Sequence, residues 1–156
     1  MAPSEDLYAK VSTEAATEFT QSFYPALEKD RAIISWFYST APSPIIFNGN
    51  QVADGNAVQD IFVNQMPPAH YEIQSVDCQI INKQFPAPIP GKQPSTKDMS
   101  MLVIVSGYVR FGDSRDLPQR GFSETFVLIP NTSNETVKGR RKRDWVIQTQ
   151  NFRLVV

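Results

Sequence analysis

The side chains whose type and setting could do chemistry are few: a mid-strand carboxylate, a lone imidazole, a lone thiol and a run of cations. Asp77 lies between Val76 and Cys78 in a β-rich stretch, His70 to Ile81. Period-2 counting places it on one face with Tyr71, Ile73 and Ile81. A carboxylate buried alone on an apolar face costs several kcal/mol, so Asp77 calls for a cation. An internal arginine such as Arg110 is one source of that cation, and a wet rim position is the other reading of the residue. Tyr71 and Tyr108 could serve as hydroxyl donors beside an Asp base, as an isomerase-like site requires, but the three stand isolated in sequence. His70 follows Pro67-Pro68-Ala69 at a strand start and reads as a rim or capping residue. Cys78 reads as a buried, inert thiol. No Ser-His-Asp order, paired carboxylates or phosphate-cradling glycine loop is present, so no catalytic residues are assigned and an enzyme is not expected. Lys138, Arg140, Arg141, Lys142 and Arg143 put five basic residues into six positions. Such a run is a solvated hairpin tip, a nuclear import signal or an RNA-phosphate contact that is salt-sensitive and blind to sequence. No aromatic ladder accompanies it, so base-specific RNA reading is not expected.

Composition narrows the field further. With 156 residues, 41% of them hydrophobic, the chain fits one domain with a core of its own. One Cys and one His leave no disulfide framework, thiolate zinc site or multi-histidine centre, and no metal or cofactor is expected. A net charge of −1 gives no global pull toward nucleic acid or membrane. No apolar run has the length of a membrane span, so membrane insertion is not expected. Met1 to Asp6 is acidic where a signal peptide would be basic and then apolar. A reducing compartment follows, and the sequons at Asn131 and Asn134 read as turn residues.

The elements that must hold these residues are legible from periodicity. Leu7, Val11, Ala15, Phe19, Phe23 and Leu27 recur every four residues, which predicts a helix capped by Ser4, with a break or kink at Pro25. A second, shorter helix carries Ile33, Ile34, Phe37 and Tyr38. Asn48-Gly49-Asn50 between apolar stretches predicts a hairpin. Asp54 caps a third helix through Val58, Ile61, Phe62 and Met66, stopped by Pro67-Pro68. Four long strands follow, at 70–81, 99–111, 121–129 and 145–154. In the second, Met99, Met101, Val103, Val105, Val109 and Phe111 share one face, and Leu102, Ile104 and Tyr108 the other. Both faces are apolar, so both should be covered, and the helices can cover only one. Residues 84–98 form a Pro-rich exposed loop and 130–143 a polar, basic one. The whole is α+β, a single domain over 1–156, with a strongly bent antiparallel sheet, three helices on one side and the order ααββαββββ.

This order, with Phe47-Asn48-Gly49-Asn50, Ile61-Phe62, Val76-Asp77-Cys78-Gln79, the strand Leu102 to Val109, Phe122 to Leu128 and Asn151-Phe152-Arg153, resembles the nuclear transport factor 2-like superfamily. Within it the chain is similar to the small subunit of the messenger-RNA nuclear export receptor, of a fungal type given its extended loops. The resemblance implies a heterodimer in which two such sheets pack face to face, a partner that is the large export-receptor subunit, and contact with nucleoporins directly or through that partner. It also implies residence in the nucleus and at the nuclear pore, with shuttling to the cytoplasm. On this reading Asp77 is the interface carboxylate that meets an arginine of the large subunit. Tyr71, Ile73, Val105, Tyr108, Phe126, Phe152 and Arg153 are its candidate neighbours at the interface. The alternatives are a homodimeric transport factor binding nucleoporins or a small GTPase, a small-molecule-binding or isomerase-like cone, and a stress-granule-type adaptor. In a homodimer an unpaired Asp77 would face itself across the two-fold axis.

Overall fold

The computed structural model describes residues 2–133 and 141–155. Helix α1 runs over Glu5–Lys29, capped by the Ser4 hydroxyl, which accepts from Leu7 N at 3.2 Å. It does not break at Pro25. The ring sits on the exposed side, where the Gln21 carbonyl it leaves unpaired can be hydrated, while Phe23, Tyr24, Ala26 and Leu27 around it are buried. Burial of that stripe outweighs the lost hydrogen bond. The second helical segment, Arg31–Phe37, is a 3-10 helix. Strands β1 (Ile45–Phe47) and β2 (Asn50–Val52) form the hairpin, with Asn48 and Gly49 at positive φ. Helix α2 spans Gly55–Asn64, and Asp54 caps it by accepting from Ala57 N at 2.8 Å. Strands β3 (Ala69–Asn82), β4 (Ser100–Phe111), β5 (Arg120–Pro130) and β6 (Trp145–Leu154) complete the chain.

All six strands belong to one sheet, in the order β2-β1-β6-β5-β4-β3. Every pairing is antiparallel except β1 with β6, which is parallel. The helices cover one face. Between them and the sheet lies a core in which Phe19, Phe23, Phe37, Phe122 and Phe126 are essentially inaccessible. Phe23 meets Phe37 edge-on at 5.3 Å and Phe126 at 5.4 Å. Arg31 ties the two helix ends together. Its guanidinium donates to the carbonyls of Leu27, Phe62, Met66 and Pro67 at 2.7–2.9 Å, which satisfies acceptors that helix C-termini leave open.

One irregularity decides which way half of β3 faces. The pairing of β3 with β4 slips between Ile73 and Ser75, so Gln74 is the extra residue of a bulge. Gly107 sits opposite, and a Cβ there would overlap the Glu72 carbonyl oxygen. The bulge and the glycine therefore require each other. Gly107→Ala is expected to destabilise the fold by about 3 kcal/mol or more, because backbone would have to move. Thermal unfolding reads this directly, and an unchanged melting temperature would show that the bulge relaxes freely.

Candidate functional site

The sheet face away from the helices is open, and the strand register writes its rows. Asp77, Ile104, Thr125, Asn151 and Ile46 lie side by side across five strands. On one side of that row run Ser75, Ser106, Ser123 and Arg153, and on the other Gln79, Leu102, Val127 and Thr149. Tyr108 stands between Glu72 and Gly121. Ile104 is 37% exposed and Tyr108 45%, in the middle of long strands where cover would be expected. The face is thus a band of Leu102, Ile104, Tyr108 and Val127 among small hydroxyls, with Asp77 on one side and Arg153 on the other.

Asp77 is exposed on this face, and among the described residues no cation pairs with it. Its Oδ1 accepts from Cys78 N at 3.0 Å. Arg110 is not its partner; that side chain points to the Gly112 carbonyl, and its strand position is opposite His70. Asp77, Tyr108 and Arg153 therefore share the open face.

Five other candidates do not. Because the bulge at Gln74 shifts the parity of β3, Tyr71 and Ile73 face the helices while Asp77 faces away, and the expectation that they share a face is corrected. Tyr71 packs on Tyr24 and Phe122, with centroids 5.2 and 5.8 Å away. Val105 and Phe126 are fully buried in the chain's own core. Phe152 is buried as well, stacked on Phe122 at 5.5 Å. None of these lies on the open face. Ile81 falls at a second slip in the β3–β4 register, so it has no partner residue on β4, and its side chain is exposed.

The basic run divides. Lys138 and Arg140 lie outside the described residues; Arg141 and Lys142 are exposed. Arg143 is buried, which corrects its assignment as an RNA or importin contact. Its guanidinium lies over the rings of Phe37, Trp36 and Phe19, at 4.7, 5.1 and 5.9 Å. It bonds both carboxylate oxygens of Glu18, at 2.7 and 3.3 Å. Arg143 anchors the end of the loop to α1. Arg143→Ala is expected to cost about 2 kcal/mol through lost packing and cation–π contact. Chemical denaturation measures it, and a change within error would contradict this role.

Sequence reading missed a polar cluster on the helix side of the sheet. Glu124, on β5 between Phe122 and Phe126, is buried in the core. Its carboxylate accepts from the Tyr24 hydroxyl and from Gln150 Nε2, each at 2.7 Å. Gln150 Oε1 in turn accepts from the Tyr38 hydroxyl. Burial raises the Glu124 pKa to about 7 against the two hydrogen bonds that lower it. Burial and the nearby carboxylate push Tyr24, Tyr38 and Tyr71 well above 10, so these phenols stay neutral. The signal was in the sequence: Glu124 falls in the apolar register of its strand, where a carboxylate needs donors. Both its oxygens are taken by protein groups. The groove alongside, lined by Thr20, Tyr24, Tyr71, Ile73 and Val76, does not reach Glu124. Among the described residues no cluster of His, Cys, Asp and Glu could hold a metal, and no helix is long and apolar enough to cross a membrane.

The chain is thus a bent sheet with helices packed on one face and a semi-apolar outer face. The chain belongs to the nuclear transport factor 2 (NTF2) domain family, whose model matches residues 15–153. It is 28% identical to the human NTF2-related export protein 2, over 98% of this chain and 95% of that protein. It is 26% identical to the bovine NTF2-related export protein 1, over 94% and 90%. Among solved structures it resembles a chain of the Chaetomium thermophilum Mex67 NTF2-like domain complexed with Mtr2, with TM-score 0.73 and 24% identity, covering 92% of this chain and 98% of that one. The fold also matches a putative scytalone dehydratase from Novosphingobium aromaticivorans, with TM-score 0.63 and 7% identity, over 96% and 87%. The architecture alone thus spans transport factors and enzymes.

Proposed function

We propose that this chain is the small, non-enzymatic subunit of a messenger-RNA export heterodimer. The observation that carries the reading is the open sheet face, with exposed Ile104 and Tyr108 and an Asp77 that no described cation pairs. A second NTF2-like sheet laid on that face covers the apolar band and supplies a cation to Asp77. The family membership and the named relatives, which are export proteins, support an export role, and the solved complex of a Mex67 NTF2-like domain with Mtr2 supports such a domain as the partner. The subunit's work is then mechanical, covering its partner's sheet and keeping that domain in a form that nucleoporins recognise. Exposed Arg141 and Lys142 add contact with RNA or ribonucleoprotein cargo. The assembly resides in the nucleus and at the pore and shuttles to the cytoplasm. Acute depletion of the chain tests this, with polyadenylated RNA followed by in situ hybridisation. Nuclear accumulation is expected, and an unchanged cytoplasmic distribution would contradict an export role.

A further inference from the structure

Both tryptophans of the chain, Trp36 and Trp145, border one cleft of about 480 Å³, together with Arg141 and Lys142. The floor is apolar, formed by Phe19 and Leu128. We infer that this cleft is a contact site for single-stranded RNA, in which bases lie against the Trp36 and Trp145 rings and Arg141 and Lys142 take the flanking phosphates. The inference rests on, and makes specific, the RNA-contact part of the function proposed above.

The two rings are held ready. Trp145 donates its indole N–H to the Met99 carbonyl at 2.9 Å, which fixes its plane. Trp36 packs edge-on against Phe37 at 5.3 Å, with the Arg143 guanidinium 5.1 Å from its ring centroid. Both stay half-buried, so neither belongs wholly to the core. Trp36 and Lys142 also border a second hollow, of about 250 Å³, lined by Ser35, Thr40, Asn56 and Asn131. Trp36 is therefore a ridge between an apolar cleft and a polar one, with a cation beside it in each. Stacking on aromatic rings plus cations along the backbone is how single strands are held without sequence choice. The acidic groups lining the first cleft are each set against a cation, Glu18 against Arg143 at 2.7 Å, Asp144 against Lys97 at 3.7 Å and Glu14 against Lys10 at 4.0 Å, while Asp54 in the second hollow caps α2. A strand of phosphates thus meets Arg141 and Lys142 as the cations of this cleft not already set against one of those carboxylates.

The test uses the assembly that the tagged full chain forms in its own cells. An oligouridine carrying 5-bromouridine is bound and irradiated, and adducts are mapped by mass spectrometry. Adducts on Trp36 and Trp145 are expected, with a duplex of the same length competing poorly. Arg141→Ala with Lys142→Ala should lower the slope of log affinity against log salt by about 1.4, as two lost phosphate contacts imply. It should leave subunit assembly intact, so a failure here is distinct from a failure of the heterodimer reading. Adducts confined to other segments, or an unchanged slope in the double variant, would overturn the assignment. So would an aromatic-bearing peptide found cross-linked in the cleft in place of RNA.

Discussion

Asp77→Arg is expected to abolish pairing with the large subunit while leaving the chain folded. The side chain is exposed in the row of Ile104, Thr125 and Asn151, so the change removes nothing from the core. What it loses internally is the hydrogen bond from Cys78 N. On the proposed interface it would set one cation against another in a region the partner sheet would dry. Truncating one member of a buried interfacial pair costs about 2–5 kcal/mol, and like-charge juxtaposition adds to that. Affinity should therefore fall by about a hundredfold or more. Titration calorimetry against the partner's NTF2-like domain measures the loss, with circular dichroism as the fold control. Unchanged affinity with a normal spectrum would remove Asp77 from the interface.

The second large effect is a stability profile governed by Glu124. Its carboxyl titrates at about 7 in the fold, against an ordinary 4.5. A raised acid pKa means the folded state binds the proton more tightly than the unfolded one. The stabilisation it gives is fully present below about pH 4.5 and is lost as pH rises through about 7. The slope is at most about 1.4 kcal/mol per pH unit, or about 3 kcal/mol across the window. The groups around it are Tyr24, Gln150, Tyr38 and Tyr71, none of them a cation. Glu124→Gln cannot ionise. The difference in unfolding free energy between variant and parent should therefore shift toward the variant by about 3 kcal/mol from pH 4.5 to 8. Exposed carboxylates cancel in that difference. A difference independent of pH would mean that Glu124 is not titrating in this window.

The elements themselves were legible because burial follows period 2 and period 3.6 so closely in this chain. The alternation of β4, with Met101, Val103 and Val105 inward and Ile104 and Tyr108 outward, is in the fold as it is in the sequence. Three misreadings have physical causes. The hydrogen bond that Pro25 removes argues for a break, whereas its position on the wet side of α1 makes that loss small. Phase counting along β3 carried Tyr71 and Ile73 onto the Asp77 face, because a bulge at Gln74 leaves no mark in local composition. Its one trace was Gly107, on a different strand. Arg143 was grouped with its basic neighbours by adjacency, but adjacency cannot show that Glu18 and three aromatic rings converge on it from elsewhere in the chain. Glu124 is the opposite case, since its place between Phe122 and Phe126 was visible and its donors, Tyr24 and Gln150, were not.

The central claim is that the open sheet face is covered by a different chain. Native mass spectrometry of the tagged protein, taken from its own cells at near-physiological salt, tests it most directly. One copy of this 17.6 kDa chain bound to one larger, different subunit is the predicted result. Two copies of this chain with nothing else would contradict it.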